Sequence, residues 1–166
     1  LILALGQDAD LNGIVQGLQI AMFNVSDISN PQQINKYIEN GYSSSEAQYD
    51  HKAFRYLPQS KLLIVPLTIY QTTEGGYFDG FIVYDVDEEK KFSKLFTISH
   101  QDDSAKSCWD NSFLPSRSLV FDGKVTTTKG HTAISSDLTT FQKLWTLNLD
   151  ADRDENIDEC YYWFLD

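Results

Sequence analysis

The chain has 166 residues, 42% of them hydrophobic and 13% aromatic, which is enough apolar surface for one packed domain and too much for a disordered chain. Acidic residues outnumber lysine and arginine 24 to 13, a net charge of −11. That balance argues against nucleic acid or an anionic lipid surface as the partner, because both are held largely by basic side chains.

The predicted elements are almost all strands. Residues 1–5 form a short apolar strand, and 18–25 alternate as a second. A third covers 34–38. Residues 43–50 hold the one stretch that reads as a helical turn. A hairpin follows from 51–57 and 62–70, with a turn at Pro58. Pro66 sits awkwardly in its second arm, since proline offers no ladder donor and prefers edges or bulges. Further strands begin at Gly80 and cover 92–98. Residues 118–121 and 124–128 make a hairpin around Asp122-Gly123, a turn pair that accepts positive φ. A strand after Gly130, one over 141–147 and an apolar stretch at 160–165 complete the chain. The longest apolar run near the middle, 62–67, falls far short of the roughly 18 residues a membrane helix needs, so no membrane span is expected. Residues 1–5 are too short for an export signal and follow no initiator methionine, so a mature or partial product is expected.

Three segments repeat, at 17–39, 80–100 and 130–149. Each opens on glycine, runs along an alternating strand, crosses a polar turn and ends in a second strand. The last strands of the second and third agree closely, FSKLFTI at 92–98 against FQKLWTL at 141–147. Such a period suits a unit of four short strands. The expected fold is therefore all-β: a partial β-propeller of about three four-stranded antiparallel blades, near 1–39, 51–100 and 115–149, with an acidic loop and a final strand at 150–166. The first unit shows only three strands. A β-sandwich is the competing all-β arrangement. Three blades do not close a ring, so further blades of the same protein or other chains, in a homo-oligomer or filament, are the expected partners.

Several sites follow from the residues. Asp8, Asp10 and Asn12 alternate ahead of Gly13, with Ile14 and Gln16 beyond, a pattern of oxygen ligands suited to a calcium ion. Gln19 stands where a calcium-binding hand would place a bidentate glutamate, so the loop would lie between strands. The alternative is a polar turn in which Asp and Asn bond their own backbone. A second calcium candidate alternates through Asp150, Asp152, Asp154, Asn156 and Asp158, against a solvated acidic linker. Asn24-Val25-Ser26 is an N-glycosylation sequon, provided Asn24 faces solvent. Cys108 and Cys160 could form one disulfide or remain two thiols. Asp50 beside His51 reads as structural hydrogen bonding between strands, and Trp109, Trp145 and Trp163 as packing residues. No nucleophile elbow, phosphate loop or dinucleotide fingerprint is present, and a non-catalytic protein is expected.

The runs GQDAD at 6–10, FNVSDISNP at 23–31 and SEAQYDHKAF at 45–54, with Arg117, Ser118 and Leu119 later, resemble secreted proteins with a C-terminal β-propeller distantly related to WD-type repeats. Mastigoneme-type filament proteins look similar. Asn24 departs from that pattern, which has aspartate there. The resemblance implies an extracellular or cell-surface, non-catalytic structural or interaction module, and favours the Cys108–Cys160 disulfide through its oxidising compartment. The competing function is a carbohydrate-binding or hydrolytic propeller with Asp50 and His51 in a central channel.

Overall fold

A computed structural model describes residues 1–70, 76–87, 91–101 and 115–149. The chain divides into two compact units, Leu1–Ser99 and His100–Asp166. The expected all-β fold is present, as three antiparallel sheets. The Cys160 stretch, Trp109 and Trp163 lie outside the described residues.

The first unit holds two sheets. Sheet A is the meander β1 (Ile2–Ala9), β2 (Val15–Asn24) and β3 (Gln32–Asn40), so the first repeat has three strands as read from its sequence. Sheet B contains β4 (Ser43–Ser44), β5 (Arg55–Leu57), β6 (Leu62–Ile69), β7 (Phe78–Asp87) and β8 (Lys91–Ser99). Both β4 and β5 pair with β6, and β7 and β8 follow in order.

The first arm of sheet B differs from the expected continuous strand over 51–57. Two single 3-10 turns, Glu46–Gln48 and His51–Ala53, separate β4 from β5. Each has a local side-chain cap that competes with strand pairing. Ser45 makes a capping box with Gln48, and the Asp50 carboxylate accepts from the Lys52 amide at 2.9 Å. This interruption also explains Pro66. β6 pairs with β5 over residues 62–64 and with β4 at Thr68 and Ile69. The Pro66 carbonyl accepts the Ser45 hydroxyl at 2.5 Å, so it points into the gap between those two partners. In an antiparallel strand the nitrogen of a residue points the same way as its carbonyl. The missing N–H therefore faces the gap and takes no bond from the β6–β7 ladder.

The repeat glycines have a steric cause. Gly17 on β2 and Gly80 on β7 hold matching places, opposite Asn40 on β3 and Ser99 on β8. A Cβ on either would collide with a backbone carbonyl, that of Glu39 or Ile98. Only glycine permits so close an approach of the outer strand.

Leu18, Ile20 and Met22 of β2 pack with Leu63, Val65, Leu67 and Ile69 of β6, with Ile82, Tyr84 and Val86 of β7, and with Phe92 of β8. Ile64, Phe81 and Val83 alternate with these along β6 and β7, so they occupy the opposite face, and they are equally buried. The buried part of sheet B is therefore β6 and β7, while most of β8 is exposed.

The second unit contains sheet C, the meander β9 (Arg117–Phe121), β10 (Lys124–Lys129), β11 (Thr132–Asp137) and β12 (Lys143–Asn148). The Asp122-Gly123 turn forms as expected, with φ of 49° and 68°. The last strand begins later than its sequence suggests. Phe141 has φ of 59° and precedes β12, in a turn where its amide bonds the Asp137 carbonyl at 3.0 Å.

Candidate functional site

The loop between β1 and β2 is closed by its own atoms. The Asp10 carboxylate accepts from the amides of Asn12 and Ile14, at 2.8 and 2.9 Å. The Ile14 carbonyl accepts from the Asp10 amide at 2.9 Å and from the Gln16 side chain at 3.1 Å. Asp8 is paired with Lys36 of β3 at 2.8 Å. The local arrangement is that of an Asx turn, in which the amides reach Oδ1 of Asp10 and Lys36 reaches Oδ1 of Asp8. Among the described residues no three His, Cys, Asp or Glu side chains come together as a metal group. Asp150, Asp152, Asp154, Asn156 and Asp158 lie outside the described residues, as do Cys108 and Cys160.

Asn24 ends β2 with its side chain exposed, the condition that glycosylation sets. Its Oδ1 accepts from the Ser26 amide at 2.9 Å, which leaves the bond on the oxygen rather than on the nitrogen that a glycan would take. Asp50 and His51 are adjacent on a 3-10 turn. Asp50 caps that turn, its carboxylate accepting from the Lys52 amide, and His51 is exposed.

A buried histidine that sequence reading passes over organises sheet C. The His100 ring lies 2.8 Å from the Thr127 hydroxyl through Nε2 and 2.7 Å from the Thr132 hydroxyl through Nδ1. Thr127 also donates to the Ile134 carbonyl at 3.4 Å. One ring therefore ties the segment entering the sheet to β10 and β11.

A carboxylate has the matching role in the first unit. Glu39 of β3 accepts from the phenols of Tyr37 and Tyr84, at 3.3 and 3.2 Å, and from Lys94 of β8 at 3.0 Å. The two rings meet edge to face with centroids 5.3 Å apart. Burial, with the Glu39 charge second, pushes the Tyr37 phenol up to about 12 and raises that of Tyr84 further. This group clamps sheet A to sheet B.

The exposed chemistry of the first unit lies elsewhere. Tyr42, Tyr70 and Tyr77 stand side by side at one end of sheet B, with ring centroids 5.2 and 6.1 Å apart. The Tyr70 amide donates to the Tyr42 carbonyl at 2.9 Å, which fixes two of the three backbones together. Tyr42 lies 28 residues before Tyr70, so no local motif announces the group.

In the second unit, register places Leu119, Thr126, Ser135 and Trp145 in one cross-strand row. Phe121 lies two residues along from Leu119, and Leu147 two along from Trp145, so all four large side chains share one face. Each is exposed, while Ala133 and Ser135 between them are buried. Sheet C thus presents a shallow floor of small residues flanked by apolar walls.

A family model described as Beta propeller domain matches residues 1–141. No curated protein and no solved structure matches the chain. The matched stretch takes in all of sheets A and B and most of sheet C, with the repeated glycines and four-strand period already described. The chain belongs to the beta propeller domain family.

Proposed function

We propose that this domain is a non-catalytic structural or interaction module whose sheet C packs against a further blade, supplied by the same protein or by another chain in a homo-oligomer or filament. The observation that carries this reading is the unpartnered face bearing Leu119, Phe121, Trp145 and Leu147. Exposed apolar side chains of this kind, paired on each of the edge strands β9 and β12, mark contact surfaces. Covering each would contribute about 1 kcal/mol, because part of each is already shielded. The shape favours a blade: small buried residues between two apolar walls accept the side chains of a second sheet.

The finer parts of the reading follow from the resemblance and from single residues. An extracellular or cell-surface setting suits the exposed Asn24 sequon and a Cys108–Cys160 disulfide. Calcium would stiffen the β1–β2 loop only by outcompeting Lys36 for Asp8. A hydrolytic role for Asp50 and His51 has less support, since Asp50 is committed to its cap.

Sedimentation velocity across a concentration series tests the proposal. Self-association that Trp145→Lys and Leu147→Lys abolish, with unchanged far-UV circular dichroism, is the expected result. A chain that associates equally well with both substitutions in place refutes it; one that stays monomeric removes the homo-oligomer and leaves the further blade to the same protein.

A further inference from the structure

The exposed tyrosines of sheet B point to a partner of definite chemistry. Tyr42, Tyr70 and Tyr77 are 73%, 53% and 42% exposed, a large apolar area to leave in water at one end of a sheet whose central strands β6 and β7 are buried. The rings touch one another, tilted by 47° and 56°. Rings this close leave no hole between them, so the group is a stepped platform rather than a cage. A planar or extended group would lie across it, and a compact one would not be enclosed.

Electrostatics selects among such groups. The chain carries a net charge of −11. Asp79 sits two residues from Tyr77 at the start of β7, its carboxylate held by the Thr68 hydroxyl at 2.6 Å. Burial, followed by the charge of Asp79 and the neighbouring Tyr70, raises the Tyr77 phenol. Aromatic faces attract cations, and guanidinium groups stack flat on them. A second copy of this acidic chain would be repelled at this place, whereas a basic segment is attracted over a distance and then stacked.

We infer that the Tyr42–Tyr70–Tyr77 platform is a docking site for an extended, arginine-bearing segment of a basic partner protein. This deepens the reading of the domain as an interaction module and uses a surface separate from sheet C. The platform supplies ring faces, and the acidic surroundings supply selectivity for positive over neutral ligands.

The test is isothermal titration of the whole chain with a short capped peptide of alternating arginine and glycine. Expected are binding that weakens as salt is raised, and a loss of about fivefold in affinity for each of Tyr42→Ala and Tyr70→Ala. Tyr42→Phe and Tyr70→Phe keep the ring faces and should keep the affinity. Tyr49→Ala, at another exposed tyrosine, should leave it unchanged. Equal binding by the Tyr42→Ala/Tyr70→Ala double variant overturns the proposal. So does preference for neutral oligosaccharides over the peptide, and so does the absence of peptide binding. Trp145→Lys reports on sheet C alone: self-association lost with peptide binding intact, or the converse, shows which of the two readings has failed.

Discussion

The outer strands of sheets B and C carry nearly the same seven residues, FSKLFTI and FQKLWTL, yet their surroundings differ. Phe92 is 7% exposed and Ile98 4%, while the corresponding Phe141 and Leu147 are 43% and 54% exposed. Phe92 is buried because sheet A contributes Leu18, Ile20 and Met22 to the same cluster. Sheet C is the single sheet of its unit among the described residues. An alternating pattern makes a strand in both places, but a blade is covered only when another layer lies beside it. The interiors differ in kind as well. The core of sheet B is aliphatic and aromatic, whereas buried positions of sheet C include Thr127, Ser135 and Ser136, with His100 bonded into the sheet.

The largest effect should come from the apolar interior. Leu67→Ala removes a fully buried side chain from the cluster shared by sheets A and B and should cost about 3 kcal/mol in chemical denaturation. Leu147→Ala on the uncovered face should cost about 0.5 kcal/mol or less. Similar losses at both positions would break the contrast between a covered and an uncovered blade.

The polar interior of sheet C should respond next. His100→Ala deletes both ring contacts and leaves two threonine hydroxyls to find other partners, a cost of about 2 kcal/mol. Thr127→Val should cost about 1 kcal/mol alone and much less in the His100→Ala background. A double-mutant cycle measures that coupling, and additive losses would show that the ring and hydroxyl do not act together.

Much of this fold is legible in the residues. Alternation identified the strands of all three repeats, and Asp122-Gly123 identified its hairpin. The glycine opening each repeat was visible as a recurrence, but its cause was not. Gly17 and Gly80 make room for a carbonyl of the outer strand, whereas Gly130 sits in a turn with φ of 55°. The errors came where side chains compete with the ladder. The helical turn expected within 43–50 is present as Glu46–Gln48 under its Ser45 cap, but Asp50 caps a second 3-10 turn in what alternation presents as a strand, and Phe141 is spent in a turn. The surface groups were the least legible. Tyr70 and Tyr77 flank the connection between two consecutive strands, but Tyr42 joins them only when β4 is laid against the end of β6, a pairing that local periodicity does not encode.

Alkaline pH should separate the two units. Tyr37 has its folded value near 12 against an ordinary 10, and Tyr84 is raised as well. Raised phenols hold their protons more tightly in the folded chain, so the stability they contribute is complete below pH 10 and is lost as pH rises toward 12. Denaturation midpoints of the first unit should fall over that window, in step with tyrosinate absorbance. Tyr37→Phe/Tyr84→Phe should flatten the fall, whatever it does to stability at neutral pH. An unchanged slope in that variant would move the alkaline sensitivity away from the Glu39 clamp.

The smallest effect should come from the β1–β2 loop, where two accounts of the same carboxylates compete. If Asp10 serves the turn, Asp10→Ala removes the acceptor for two amides on an exposed loop and costs about 1 kcal/mol or less. The cost should then be equal in calcium and in chelator, because the turn is complete without an ion. If a cation holds the loop, calcium stabilises only the folded chain, and the penalty of the substitution grows with its concentration. Lys36 adds a second handle. It competes for Asp8, so Lys36→Ala should weaken the folded chain slightly in chelator and make any calcium response stronger. Equal penalties with and without calcium, together with no calcium response in Lys36→Ala, are the expected outcome for a self-closed turn. Thermal denaturation of the four proteins that combine these two substitutions, each with and without calcium, measures both at once.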